Sequence, residues 1–183
     1  GKLYCVYNNQ EILVLAAQTG KKLGVLSNGT VVGPGTLPLA DVKVIDGVIV
    51  ASNIATAAKD ESLRLYAWES DEAAPYLLFD TKDFQGAPRV GDCLEMSGNF
   101  RSDCWFAFGN DDNTDTRIIE YNRKDGVWTA KNTKVLKDGK HYALGSTMRA
   151  YPKGSGWWVN GKNGFPAWTN NPGGGTCDVQ CQN

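Results

Sequence analysis

The sequence predicts an all-β protein of propeller-type blades, four-stranded antiparallel units that recur about every fifty residues. Three observations carry this. Short runs rich in Val, Ile, Leu, Tyr, Phe and Trp alternate with two-residue turn signals along most of the chain. Long runs with helical periodicity are hard to find. Two separate elements also repeat with the same pair of offsets.

The extended runs cover residues 3–7, 12–16, 23–26, 42–45, 48–51, 63–68 and 76–79, then 104–108, 117–121, 127–130, 147–151 and 156–159. The pairs Asn28-Gly29, Asp46-Gly47, Asp125-Gly126, Asp138-Gly139 and Asn160-Gly161 punctuate them. A type I′ hairpin turn needs positive φ at both central positions, which Asn, Asp and Gly tolerate best. The Ala-rich residues 54–60 suit a single helical turn or a loop.

The hairpin sequence beginning at Ile12 aligns with one beginning at Leu63 and another at Arg117, offset by about 51 and about 54 residues. Residues 42–47 (Val-Lys-Val-Ile-Asp-Gly), 93–98 (Cys-Leu-Glu-Met-Ser-Gly) and 147–152 (Thr-Met-Arg-Ala-Tyr-Pro) keep the same two offsets. Each unit reads as a short strand, a turn, a second strand and then the hairpin. On this reading the chain holds most of one blade (3–26), two full blades (42–79 and 93–136) and half of another (147–159). Residues 1–170 form the repeat domain, and residues 171–183 a tail containing Gly and Cys. Propellers close with about four to eight blades, so an incomplete ring or a fragment is expected, which another chain could complete.

Composition narrows the function classes. With 19 basic and 20 acidic residues and no basic block, the chain lacks the footprint of a nucleic-acid binder. No apolar run approaches the roughly 18 residues of a membrane helix. The five cysteines (Cys5, Cys93, Cys104, Cys177 and Cys181) are widely spaced, and His141 is the only histidine. That is a poor metal set, so buried or unpaired thiols are expected, with a small 177–181 disulfide loop as the alternative. No cofactor and no metal are expected, and no residue is singled out as catalytic.

The hairpin over residues 13–23, with Thr19-Gly20-Lys21 in its turn, is similar to the outer hairpin of quinoprotein-like propeller repeats. It has an alanine where that pattern has Asp, and it implies a propeller rather than a quinone cofactor. The whole span from Leu3 to about Trp168 resembles secreted or surface-anchored propeller proteins of gut Bacteroidetes, most without known function. The resemblance is carried by residues 19–24, by 63–68 followed by 74–78, by 89–92 (Arg-Val-Gly-Asp) and by 157–161 (Trp-Trp-Val-Asn-Gly). It implies an extracellular, cell-surface or periplasmic location.

Trp105, Arg149, Trp158, Asn160 and Trp168 are the candidate ligand-binding residues. An exposed indole stacks on the C–H face of a sugar, and its N–H, the amide and the guanidinium supply hydrogen bonds. The competing reading is aromatic packing between blades. Residues 111–115 place oxygen ligands alternately, as a calcium loop does, but Thr116 stands where Gly is expected and Asn122 where Glu is. Asp92, Glu95, Asp103, Glu69 and Asp71 lie near strand ends, where two could form a glycosidase pair if about 5–9 Å apart. His141 has no nucleophile at a recognisable spacing. Asn28-Gly29-Thr30 fits a glycosylation acceptor and equally a turn. The leading expectation is a binding or interaction module whose ligand is a glycan. The alternatives are a carbohydrate-active hydrolase or lyase with paired carboxylates, and a structural segment of a larger surface protein.

Overall fold

The computed structural model describes residues 1–29, 38–84, 86–109, 117–134, 136–137, 140–141, 144–150, 157–161 and 166–169, with the backbone alone at 97, 109, 117–120 and beyond residue 129. The fold is all-β with antiparallel sheets and almost no helix. The first sheet is β1 (Lys2–Tyr7), β2 (Glu11–Ala16) and β3 (Lys22–Val25). The second is β4 (Leu39–Ile45), β5 (Val48–Asn53), β7 (Leu63–Trp68) and β8 (Tyr76–Thr81). The third is β10 (Cys93–Gly98), β11 (Cys104–Gly109), β12 (Arg117–Lys124) and β13 (Val127–Lys134). The fourth is β16 (Leu144–Ala150), β17 (Trp157–Gly161) and β18 (Pro166–Thr169). Two short ladders join β6 (Ala55–Thr56) to β9 (Arg89–Val90) and β14 (Leu136–Lys137) to β15 (Lys140–His141). Within each of the four larger sheets the strands pair in sequence order. Among the described residues they close into neither a barrel nor a ring.

Local chemistry accounts for the turns. Asp46 and Gly47 have φ of 49° and 80°, and Asp125 and Gly126 have 51° and 78°, as a type I′ turn requires. Asn8 and Asn9 do the same between β1 and β2, at 50° and 57°. Residues 54–60 resolve into β6 and one 3-10 turn, Ala57–Lys59, ended by Asp60 in the left-handed region. The three aligned hairpins are present in register: Leu13 opposite Val25, Leu65 opposite Phe79, and Tyr121 opposite Ala130. Each is formed by the last two strands of its sheet.

The short β6–β9 and β14–β15 ladders and one strand of the fourth sheet differ from the sequence reading. The fourth group contains a third strand, β18, beyond residues 147–159, where the sequence reading ended that unit. Pro166 is the first residue of that strand, which pairs only with β17. An edge position tolerates the missing N–H.

Burial shows how the sheets stack. All six residues of β5 are buried. Alternate side chains of a strand point to opposite faces, so full burial needs a neighbour on each side. Val48 and Val50, with Leu63, Leu65 and Ala67 of β7, pack against Leu94, Phe106, Phe108 and Tyr121 of the third sheet. Ile49 and Ala51, with Tyr66 and Trp68, pack against Ile12 and Val14 of the first. First strands of successive sheets lie near one another: β1 by β4, β4 by β10, and β10 by β16.

Polar struts fix the stacking. The Asp41 carboxylate accepts a hydrogen bond from the Leu94 N–H (3.3 Å), and the Asp46 carboxylate one from the Phe100 N–H (2.7 Å). Trp68 donates its indole N–H to the Ser27 carbonyl at 2.9 Å, and the Tyr121 hydroxyl donates to the Asp83 carbonyl at 2.7 Å. In both cases a third-strand aromatic holds the linker that follows the preceding sheet.

Candidate functional site

The hairpin turns β4–β5, β7–β8, β10–β11 and β12–β13 gather at one end of the second and third sheets. Their registers require it: Ile45 faces Val48, Ala67 faces Tyr76, Gly98 faces Cys104, and Lys124 faces Val127. At this end a cleft of about 460 Å³ is lined by Tyr76, Phe100, Arg101, Ser102, Arg123, Asp125 and Gly126. Tyr76 opens β8, and Arg123 comes from the end of β12. Phe100, Arg101 and Ser102 belong to the β10–β11 turn, which the Asp46 strut ties down.

Charge in the cleft is ordered. Arg101 makes a bidentate pair with Glu69, and the Tyr76 hydroxyl donates to Glu69 Oε1 at 2.8 Å. The pair joins the two sheets across solvent. Hydrogen bonds from Arg101 and then Tyr76 hold the Glu69 carboxyl below its ordinary range. The same pairing raises Arg101. Burial, followed by the hydrogen bond to Glu69, pushes the Tyr76 phenol up to about 12, so it stays neutral near pH 7.

Arg123 is placed differently. Its guanidinium carbon lies 4.8 Å from the Phe100 ring centre and 6.0 Å from that of Trp128. Both lie within the range of cation–π attraction. Arg101 approaches Phe100 at 5.4 Å. Arg123 also reaches the buried Cys104 thiol, whose pKa burial raises against that pull. Among the described residues no carboxylate lies within ion-pair distance of Arg123.

The residues nominated from sequence lie elsewhere. Trp105 is a half-buried residue of β11, paired with Ser97 and Asn122. It alternates with Cys104 and Phe106, which are buried toward the second sheet. Arg149, Trp158, Asn160 and Trp168 belong to the fourth sheet. There the register sets Arg149 opposite Trp158, Trp158 opposite Trp168, and Asn160 opposite Pro166. Three of the five thus form one cross-strand row, and Trp105 is separate from it.

The nominated carboxylates are engaged individually. Glu69 pairs with Arg101, Asp71 with Lys2, and Asp92 with Arg89. Asp103 accepts from the Asn122 amide at 2.7 Å, and Glu95 from the Met96 N–H at 3.0 Å. Glu69 and Asp71 have their pKa values lowered by these partners. That equips them to hold ion pairs, not to donate a proton as a general acid. The Cys5 side chain is exposed, and those of Cys93 and Cys104 are buried. Among the described residues no group of His, Cys, Asp and Glu could hold a metal ion. Residues 111–115, Cys177 and Cys181 lie outside the described residues, and His141 lies in β15.

Neither the protein-family models nor the curated proteins include a match to this chain. Among solved structures it is similar to a DUF4623 family protein from Bacteroides eggerthii, with 13% sequence identity and a TM-score of 0.56. The likeness is one of fold. It covers 90% of this chain and 42% of that one, so the chain spans less than half the length of the protein it resembles. Among the described residues no helix is long and apolar enough to cross a membrane.

Sequence reasoning missed the cleft. Its lining comes from turns and strands spread from Tyr76 to Gly126, and no local spacing marks it. Its nearest sequence signal is Arg123 beside the Asp125-Gly126 turn.

Proposed function

We propose that this chain is a propeller-type binding module of an extracellular or cell-surface protein, and that its ligand is a neutral glycan. The observation that carries the reading is the row Arg149–Trp158–Trp168 across β16, β17 and β18. Residues directly opposite in antiparallel strands lie on one face of a sheet. Two tryptophans and an arginine at facing register positions are residue types suited to holding a sugar ring. The propeller part of the reading draws support from sheets whose strands pair in sequence order and whose first strands lie near each other. Balanced charge favours a neutral ligand over a polyanion.

Calorimetry against glycans selected on an array tests the reading. Trp158→Ala and Trp168→Ala are each expected to weaken binding by roughly fivefold or more, since stacking is worth about 1 kcal/mol per contact. Absence of glycan binding, or unchanged binding in both variants, overturns it.

A second reading, a segment packed within a larger assembly, draws on the first sheet. Its face away from the second sheet carries Leu3, 49% exposed, and Cys5, with Leu13 and Leu15 opposite them. An apolar sheet face of this kind suits another sheet.

A further inference from the structure

We propose that the cleft between the second and third sheets is a second binding site, and that it takes a carboxylate-bearing saccharide with Arg123 as anchor. Two arginines share this cleft and differ in what they touch. Arg101 is already satisfied by the bidentate pair with Glu69. Arg123 has its guanidinium against Phe100 and Trp128, and no carboxylate among the described residues answers it. Ring stacking engages the flat face of a guanidinium, and the Cys104 thiol takes only part of its N–H edge; the remaining N–H groups match the oxygens of a carboxylate. Phe100 is buried, and its N–H is tied to Asp46, so the ring that positions Arg123 is itself fixed.

The rest of the lining sets the ligand class. The cleft of about 460 Å³ exceeds what a bare inorganic anion fills and lies in the range of small-molecule sites. Ser102 and Tyr76 line it with hydroxyl groups. The Tyr76 hydrogen is committed to Glu69, which leaves the phenol oxygen as an acceptor for a sugar hydroxyl. Asp125, exposed at the rim, opposes an anion and sets how tightly one is held. This site shares no residue with the aromatic row of the fourth sheet.

Calorimetry with trigalacturonate, and with the neutral trigalactose as control, tests the assignment. The wild type is expected to bind the acidic trisaccharide at least tenfold more tightly than the neutral one, and to lose affinity as salt rises. Arg123→Gln is expected to remove most of that preference, roughly tenfold or more, and Arg123→Lys to restore part of it. Asp125→Asn is expected to tighten binding a few-fold. Asn tolerates the positive φ of 51° at that turn, so this variant keeps its fold if Arg123→Gln does not. Both titrations are run in a Trp158→Ala, Trp168→Ala background, so that sugar held by the fourth sheet does not enter the comparison. No binding at millimolar trisaccharide, equal affinity for the neutral sugar, or an unchanged or weakened Asp125→Asn overturns the proposal.

Discussion

Trp68 ties packing to hydrogen bonding in one side chain. It is fully buried between the first and second sheets, and its indole N–H reaches the Ser27 carbonyl. Trp68→Ala is expected to cost about 3–5 kcal/mol in urea unfolding, through lost burial and a cavity. Trp68→Phe should cost less, because it keeps a ring while leaving that carbonyl without its donor. Trp128 is only partly buried, against Phe79 and Phe106, so Trp128→Ala should cost clearly less than Trp68→Ala. A larger loss at Trp128 would contradict the burial argument. Tyr76 offers a separate observable. Its phenol titrates at about 12 in the folded chain against 10.0 for a free tyrosine. A folded pKa above the unfolded one gives stability that is complete below pH 10 and lost as pH rises through about 12. Burial also raises the Tyr66 and Tyr121 phenols, so ultraviolet titration should show several late tyrosinates in the wild type, one of which moves to lower pH in Glu69→Gln. An unchanged titration would mean that Glu69 does not hold the phenol.

Among the elements, two glycines fix the ends of strands. Gly91 and Gly98 have φ of 95° and 92°. A Cβ at Gly91 would meet the Asn53 carbonyl oxygen, and one at Gly98 the Asp103 carbonyl oxygen. Gly47, at φ 80°, has open space around it. Gly91→Ala and Gly98→Ala are therefore expected to lower stability by more than about 1–3 kcal/mol, from strain and collision together, and Gly47→Ala by strain alone. Equal losses at all three positions in thermal unfolding would remove the collision term.

The same elements show what a sequence discloses. β-Branched and aromatic runs between Asp-Gly pairs disclosed most strands of the first three sheets, because turn chemistry and side-chain alternation are local. The β6–β9 ladder was not legible, since two residues carry no period and their pairing spans more than thirty positions. β18 was hidden because Pro166 ordinarily argues against a strand. Of the candidate sites, the row Arg149–Trp158–Trp168 was legible as a list of side chains but not as a row, because register is set by pairing. The cleft was not legible, since Glu69, Tyr76, Arg101 and Arg123 meet only when two sheets stack.

At the scale of the whole molecule, the outer face of the first sheet leaves large apolar side chains in water. Leu3, Tyr7 and Val25 are 49%, 51% and 37% exposed. Exposed apolar surface of this kind promotes association. Sedimentation should detect concentration-dependent self-association that Leu3→Lys with Leu15→Lys suppresses. A strictly monomeric wild type would show that the face is tolerated as it stands.

The two-sided burial of β5 makes cooperativity directional. Sheets that contact only their neighbours behave as a short linear array, in which each interface adds its own stabilising increment. The first sheet is held by one described interface and the second by two. Amide hydrogens of β1–β3 can therefore exchange through a partial opening that releases one sheet. Those of β5 and β7 require both interfaces to separate. Native-state exchange in low denaturant would then sort the chain by sheet, with the strands that carry Ser52 and Tyr66 the last to take up deuterium.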